Sequence, residues 1–235
     1  MTPIQPAGFA PSDRPPSGAA FFMSCDVLVR EMTTRAIDYI DGFNLYHAID
    51  DLGESHLKWL DLWSLSEKLI HPDQTLVAVK YFTAYATWRP ESYRRHQRYV
   101  AALEACGVTP IIGRFKRKTV RCHAKCRQTY ITHEEKETDV NIGVHLVADA
   151  LRDRFDRALV ISADTDLNSA VILARSEAPG KRVDLVAPPN RMGRNSAALF
   201  EVTKGRVRSS LLPAQIQRRD GRVVERPKKY DPPTP

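Results

Sequence analysis

Apolar positions along the chain switch period repeatedly, and the switches mark alternating strands and helices. Ala36–Asp41 is a short apolar run ending in Asp-Gly, and Thr75–Tyr85 (TLVAVKYFTAY) is dense in β-branched and aromatic residues. Both patterns predict buried strands. Between them, Leu62–Ile70 reads as a helix with Asp61 as its N-cap. Pro90 opens a helix over Glu91–Cys106 that Gly107 stops, and Val108–Phe115 is the next strand. Val140, Val144, Val147 and Leu151 recur at helical spacing and predict a helix over Asp139–Leu151. Ala158–Ser162 (ALVIS) is a continuous apolar strand, Leu167–Ser176 a helix and Arg182–Ala187 a further strand. Strands separated by helices imply βαβ crossovers, hence an α/β fold with a mainly parallel sheet covered on both faces.

Composition bounds this picture. The 235 residues are 43% hydrophobic and 27% charged, the profile of a soluble globular protein. Ten of the sixteen prolines fall in Met1–Pro16 and Pro213–Pro235, two stretches without apolar periodicity. The chain therefore reads as a disordered N-terminal arm over 1–33, a folded domain over 34–204 and a basic, proline-rich disordered tail over 205–235. The arm lacks the pattern of a signal peptide, and Met23 and Met32 are alternative starts. No apolar run reaches the ~18 residues of a membrane span. Four cysteines in a chain this long suit a reducing compartment better than a disulfide scaffold. The expected location is cytoplasmic.

The net charge of +7 is a sum of unlike segments. Lys204–Pro235 carries nine basic and three acidic residues. Between Arg89 and Arg127, eleven Lys and Arg oppose only Glu91 and Glu104, whereas Glu134–Glu177 holds ten acids against five bases. A basic segment suits a polyanion, and the acidic one that follows suits cations.

The acids sit where an α/β sheet builds its sites, outside the carboxyl ends of the strands. One strand runs into Asp41-Gly42-Phe43-Asn44, another into Ala163-Asp164-Thr165-Asp166, and Asp139 opens a helix on the same rim. Four carboxylates in one crevice raise one another's pKa unless cations neutralise them. Mg²⁺ or Mn²⁺, hard ions with oxygen ligands, fit such a set. Each acid alone has a plainer reading: Asp-Gly is a turn signal, and Asp139 or Asp166 a helix cap. Asp38, inside its strand, and Asp149, late in its helix, read as structural or solvent-facing. Asp164–Arg175 fails as a calcium loop, having Ser169 for glycine and Arg175 for glutamate. Nothing resembles a phosphate-binding P-loop.

Three blocks together are more specific. They are Ile37-Asp38-Tyr39-Ile40-Asp41-Gly42-Phe43-Asn44-Leu45, Glu135-Lys136-Glu137-Thr138-Asp139-Val140-Asn141-Ile142 and Val160-Ile161-Ser162-Ala163-Asp164-Thr165-Asp166-Leu167. In order and spacing they resemble the signature blocks of NYN-domain proteins, the LabA-like branch of the PIN-like nucleases, across about 36–187. The resemblance implies a PIN-like three-layer α/β/α fold with a small β-hairpin insertion, and metal-dependent cleavage of RNA. It aligns Asp41, Asp139, Asp164 and Asp166 with the metal-site acids and Asn44 with the Asn of the first block, and makes all five catalytic candidates, Asn44 for orienting a water or a phosphate oxygen. It also implies 5′-phosphate and 3′-hydroxyl products. Ala163 stands where the family often has Gly.

An acidic crevice repels RNA, so binding needs a basic frame. Arg89, Arg94, Arg95 and Arg98 on one helix, with Arg114, Lys116, Arg117, Lys118 and Arg121 on the strand beyond, are candidate phosphate contacts. Tyr93, Tyr99 and Phe115 are candidates for stacking on bases. Cys122-His123-Ala124-Lys125-Cys126 forms the tip of a hairpin whose arms are Phe115–Arg121 and Arg127–His133. Cys122, His123 and Cys126 are candidate Zn²⁺ ligands, with Cys106 as a third sulfur, although the usual second Cys/His pair is missing. Two rival functions stay open: an RNA-binding or regulatory module with an idle metal site, and a Toprim-like DNA-acting phosphotransfer domain. The latter would place Glu where this chain has Asp41. RNA is the expected partner, with no membrane association; the oligomeric state is open, a homodimer included.

Overall fold

The structure, a computed structural model, describes residues 33–122, 128–193 and 196–233. Seven strands form the central sheet: β1 (Thr34–Asp41), β2 (Gln74–Ala84), β3 (Thr109–Arg121), β4 (Thr129–Lys136), β5 (Arg157–Ile161), β6 (Arg182–Ala187) and β7 (Phe200–Glu201). Their spatial order is β4-β3-β2-β1-β5-β6-β7, parallel throughout except for the antiparallel β3–β4 pair. The chain leaves β1 toward β2 on one side and later returns to β5 on the other. The boundary between β1 and β5 is thus the topological switch point, where crevices open in such sheets. Every residue of β5 is buried, as are Ala36–Asp41 of β1, which is why both strands read as unbroken apolar runs.

Helices cover both faces. One face carries α1 (Gly42–Asp50), α2 (Leu62–Glu67) and α3 (Pro90–Ala105), whose Leu45, Leu65 and Leu103 pack with Ile40 and Leu159. The other carries α4 (Thr138–Leu151) and α5 (Asn168–Glu177), whose Ile142, Leu146 and Val171 pack with Tyr39, Phe82 and Val160. The architecture is the three-layer α/β/α sandwich expected, and β3–β4 is the expected hairpin. The helix over 138–151 forms, but its inward stripe is Ile142, Leu146 and Ala150; Val140, Val144 and Leu151 are exposed. Val140, Val144 and Leu151 keep the right period on the outer face, while Val147 is partly buried against the core.

The segment expected to be a disordered tail is folded. It contains α6 (Lys204–Arg208) and a hairpin of β8 (Gln215–Gln217) and β9 (Val223–Glu225). Val207, Leu212, Ile216, Val224 and Tyr230 enter the same core as α1, α2 and α3. Trp59 donates to the Pro213 carbonyl at 2.8 Å. Proline and charge dilute the apolar positions so widely that no period survives, yet five such side chains anchor the segment. Most of the N-terminal arm, including Met23 and Met32, lies outside the described residues.

Asp38 and Asp149 are both buried and structural. Asp149 accepts from the Tyr39 hydroxyl at 2.6 Å and pairs with Lys80. Neither carboxylate oxygen of Asp38 has a partner among the described residues, and burial pushes that group up to about 7. No described helix is long and apolar enough to cross a membrane.

Candidate active site

The crevice is built at the switch point. Asp41 ends β1 and caps α1, its Oδ1 accepting from the Asn44 backbone N–H at 3.0 Å. The turn is tight because Gly42 lies against β2: a Cβ there would come within 2.5 Å of the Tyr81 ring and 2.6 Å of the Phe82 carbonyl. Across the boundary, the chain leaves β5 through Ser162. The Ser162 hydroxyl donates to Asp41 Oδ2 at 2.8 Å and accepts from the Asp164 N–H at 3.1 Å. Asp164 in turn caps the short turn that follows, accepting from the Asp166 N–H at 2.9 Å. Asn44 closes the arrangement from α1, its Oδ1 accepting from the Ala163 N–H at 3.2 Å. Two adjacent strand ends are thereby tied into one frame.

The electrostatics report which carboxylates feel one another. Asp41 is 4% exposed, and burial pushes it up to about 6, with the charges of Asp139 and Asp164 adding to the rise. Asp139, at the start of α4, is raised by partial burial and then by Asp164 and Asp166. Glu135, near the end of β4, is raised by burial and by the charges of Asp41 and Asp139, although the Thr138 hydroxyl donates to it. The four predicted acids are therefore close enough to act on one another's charge, Asp41 with Asp139 and Asp164, and Asp139 with Asp164 and Asp166, and Glu135 is a fifth that the sequence reading passes over. Two positions separate it from His133, so both lie on the same face of β4. Ser162 is missed as well, since a serine at a strand end carries no signal of its own.

An all-oxygen donor set with a buried carboxylate pushed toward neutrality has the chemistry a hard divalent ion matches. The spacing is looser than that of a closed centre. Among the described residues, no group of three or more His, Cys, Asp or Glu side chains is gathered closely enough to hold a metal ion. Of the candidate zinc ligands, His123 and Cys126 lie outside the described residues. Cys106 cannot join Cys122, because the thirteen residues of β3 separate them by about 40 Å at 3.3 Å per residue. Cys106 is instead half-buried against the core, which raises its thiol pKa.

The basic candidates divide. Arg89 and Arg95 line a cavity of about 410 Å³ bounded by α1, α3 and the ends of β2, β3 and β4, its lining including Gly42 next to Asp41. Arg114 and Arg117 line a second, neighbouring recess over Gly113 and Phe115. Arg94 is taken up by Glu91, Arg114 by Glu137 at 2.7 Å and Lys118 by Glu134 at 3.6 Å. Arg98, Lys116 and Arg121 are exposed. Of the aromatic candidates, Phe115 and Tyr99 both line the cavity, Tyr99 from a partly buried position against the core in which it donates to the Leu60 carbonyl at 2.8 Å. Tyr93 meets Tyr85 edge-on. Three further rings of the lining, Phe43, Tyr46 and Trp88, escape the sequence reading because they lie outside the basic run or in a loop.

Comparison with known proteins agrees with the fold. The structure is similar to that of a protein of unknown function from Vibrio parahaemolyticus, with a TM-score of 0.52 at 16% identity, over 77% of this chain and 98% of that one. That likeness concerns the fold alone. In sequence the chain is similar to a Pseudomonas putida protein named 6-hydroxy-3-succinoylpyridine 3-monooxygenase HspA. The two are 27% identical over 200 residues, or 71% of this chain and 62% of that relative's length. The NYN domain profile matches residues 36–203, the whole of the sheet and its acidic rim. The fold is thus that of an NYN domain, and the chain belongs to the NYN family within the PIN-like nuclease superfamily.

Proposed function

We propose that the chain is a ribonuclease that hydrolyses phosphodiester bonds at a Mg²⁺ or Mn²⁺ site on this rim. The observation that carries the reading is Asp41, a buried carboxylate raised to about 6 and coupled to Asp139 and Asp164 at the switch point. Burying an acid among like charges costs folding free energy, which a bound cation returns as attraction. Asp41, Asp139, Asp164 and Asp166 are the residues that would hold the ion, with Glu135 beside them. The ion would supply Lewis acidity to a phosphate oxygen and lower the pKa of a bound water. The chain's own groups fix the carboxylates: Ser162 orients Asp41 and Asp164 together, and Asn44 holds α1 against the loop after β5. Asn44 spends its side-chain oxygen on this positioning, and its amide NH₂ has the donors to orient a water or a phosphate oxygen.

RNA and DNA strands of one sequence, incubated with Mn²⁺ and with EDTA, test the reading. RNA is expected to be cut with Mn²⁺ only, and Asp164→Asn to abolish cutting while leaving the melting temperature intact. DNA cleavage of equal rate would favour the Toprim-like alternative. Salt-sensitive RNA binding without turnover would favour a regulatory module.

The Pseudomonas relative motivates a second reading. Its name states that it acts on a substituted pyridine, and the aromatic cavity beside the rim, holding Arg95, also suits a small heteroaromatic acid. Binding of a hydroxypyridine carboxylate to the purified chain, followed by calorimetry, tests it.

A further inference from the structure

The cavity of about 410 Å³ is not explained by the carboxylate chemistry beside it, and its volume lies in the range of sites for small planar ligands. One wall is α1, where Phe43 and Tyr46, three positions apart, stay 46% and 44% exposed. The opposite wall is a run of rings: Phe115 meets Phe43 at 6.4 Å and Trp88 at 4.8 Å, and Trp88 stacks on His133 at 3.6 Å with 6° between planes. Phe43 and Tyr46 held open to water, facing a partly buried run of rings across a recess, make a surface kept for a ligand.

Two polar groups sit among the rings. Arg95 gives one N–H to Ser92 Oγ at 3.1 Å, but its Nε is buried with no acceptor among the described residues. A buried donor left unpaired is costly, so an acceptor on a ligand would relieve it. His96 lies 3.2 Å from Thr83 Oγ1, and burial lowers it to about 4, so it is a neutral imidazole at neutral pH. Arg89 adds a second cation to the lining. The recess therefore offers stacking faces, donors for a heteroaromatic edge and positive charge for an attached phosphate. Its lining residue Gly42 follows Asp41 directly, so the recess abuts the acidic rim.

We propose that this recess takes an unpaired nucleobase of the RNA strand whose phosphate lies at the acidic rim. The inference rests on the ribonuclease reading for the identity of the strand. It makes the protein selective for single-stranded segments, because a paired base cannot enter between rings.

Binding in EDTA separates this proposal from catalysis. Fluorescence anisotropy would compare a labelled oligouridylate with an abasic ribose-phosphate strand of the same length and charge. The native protein is expected to prefer the base-bearing strand by roughly tenfold, the worth of one base–aromatic stack. Trp88→Ala is expected to remove most of that preference while leaving abasic binding unchanged, and Arg95→Gln to remove most of the preference while also weakening abasic binding. Trp88 is a partly buried loop residue outside both core clusters, so its variant is expected to keep the fold, which a melting curve would verify. Equal affinity of the native protein for both strands would overturn the proposal, as would a preference that survives in both variants. Trp88-dependent binding of a hydroxypyridine carboxylate, with no preference among strands, would overturn it in favour of the second reading. A strand preference without any cleavage in Mn²⁺ would sink the ribonuclease reading and leave the base site standing.

Discussion

Asp41 illustrates how a single side chain trades stability for function. Its folded pKa, about 6, lies above the ordinary carboxylate value of 3.8. An acid raised on folding favours the folded state while protonated, so stability is lost as pH rises from about 3.8 through about 6. Asp41→Asn should therefore melt higher than the native protein at pH 8 in EDTA, with the gap closing below pH 4, and should not cleave RNA. A native protein that melts higher than the variant at pH 8 would contradict this. Ser162 acts through two neighbours at once. Removing its hydroxyl in Ser162→Ala should weaken Mn²⁺ binding by roughly 10–100-fold, the usual worth of such support, and calorimetry reads it directly. An unchanged affinity would leave Ser162 with no role in orienting the acids.

At the scale of elements, the site depends on how closely α1 follows β1. Gly42 allows that approach because a methyl group would strike both the Tyr81 ring and the Phe82 carbonyl. Gly42→Ala is expected to cost about 1–3 kcal/mol in urea unfolding, the range for overpacking, and to lower cleavage by shifting Asp41. The strands at this boundary were legible in sequence because burial on both faces makes β1 and β5 uniformly apolar, and their acidic ends stand out. The helix α1 was not: its buried residues, Leu45, Ala48 and Ile49, are too few beside Phe43 and Tyr46, which face the cavity. The phase of α4 was misread for a related reason. Val140 and Val144 advertise an apolar face, while the true inner stripe includes the polar Thr138 and Asp149. Glu135 and the Trp88–His133 pair arise from β3–β4 folding back over the rim, a long-range arrangement that local pattern does not encode.

For the whole molecule, the C-terminal segment is part of the fold. Its length is poor in apolar residues, but Leu212, Ile216, Val224 and Tyr230 are each buried. Ending the chain at Ser209 removes all four, and at about 1.5–3 kcal/mol per buried apolar side chain the loss is on the order of 5 kcal/mol or more. The shortened protein should melt far below the native one or fail to fold, and limited proteolysis should spare the native segment. Equal melting temperatures would show that the segment does not pack. Charge at this scale also takes on structure. Part of the basic excess is spent within the fold, as where Lys204 and Arg208 both pair with Glu54. What remains near the crevice, Arg89 and Arg95 above all, lies beside the acidic rim rather than spread over the surface.

The central claim is that the carboxylates at the β1–β5 boundary hold a divalent ion that cuts RNA. The most direct measurement follows cleavage of a 5′-labelled single-stranded RNA across a Mn²⁺ titration, for the native protein and for Asp164→Asn purified in parallel. Saturable, Mn²⁺-dependent cleavage by the native protein, leaving 5′-phosphate ends and lost in Asp164→Asn at an unchanged melting temperature, is the expected result. Cleavage that persists in EDTA, or that Asp164→Asn retains at the native rate, would contradict it.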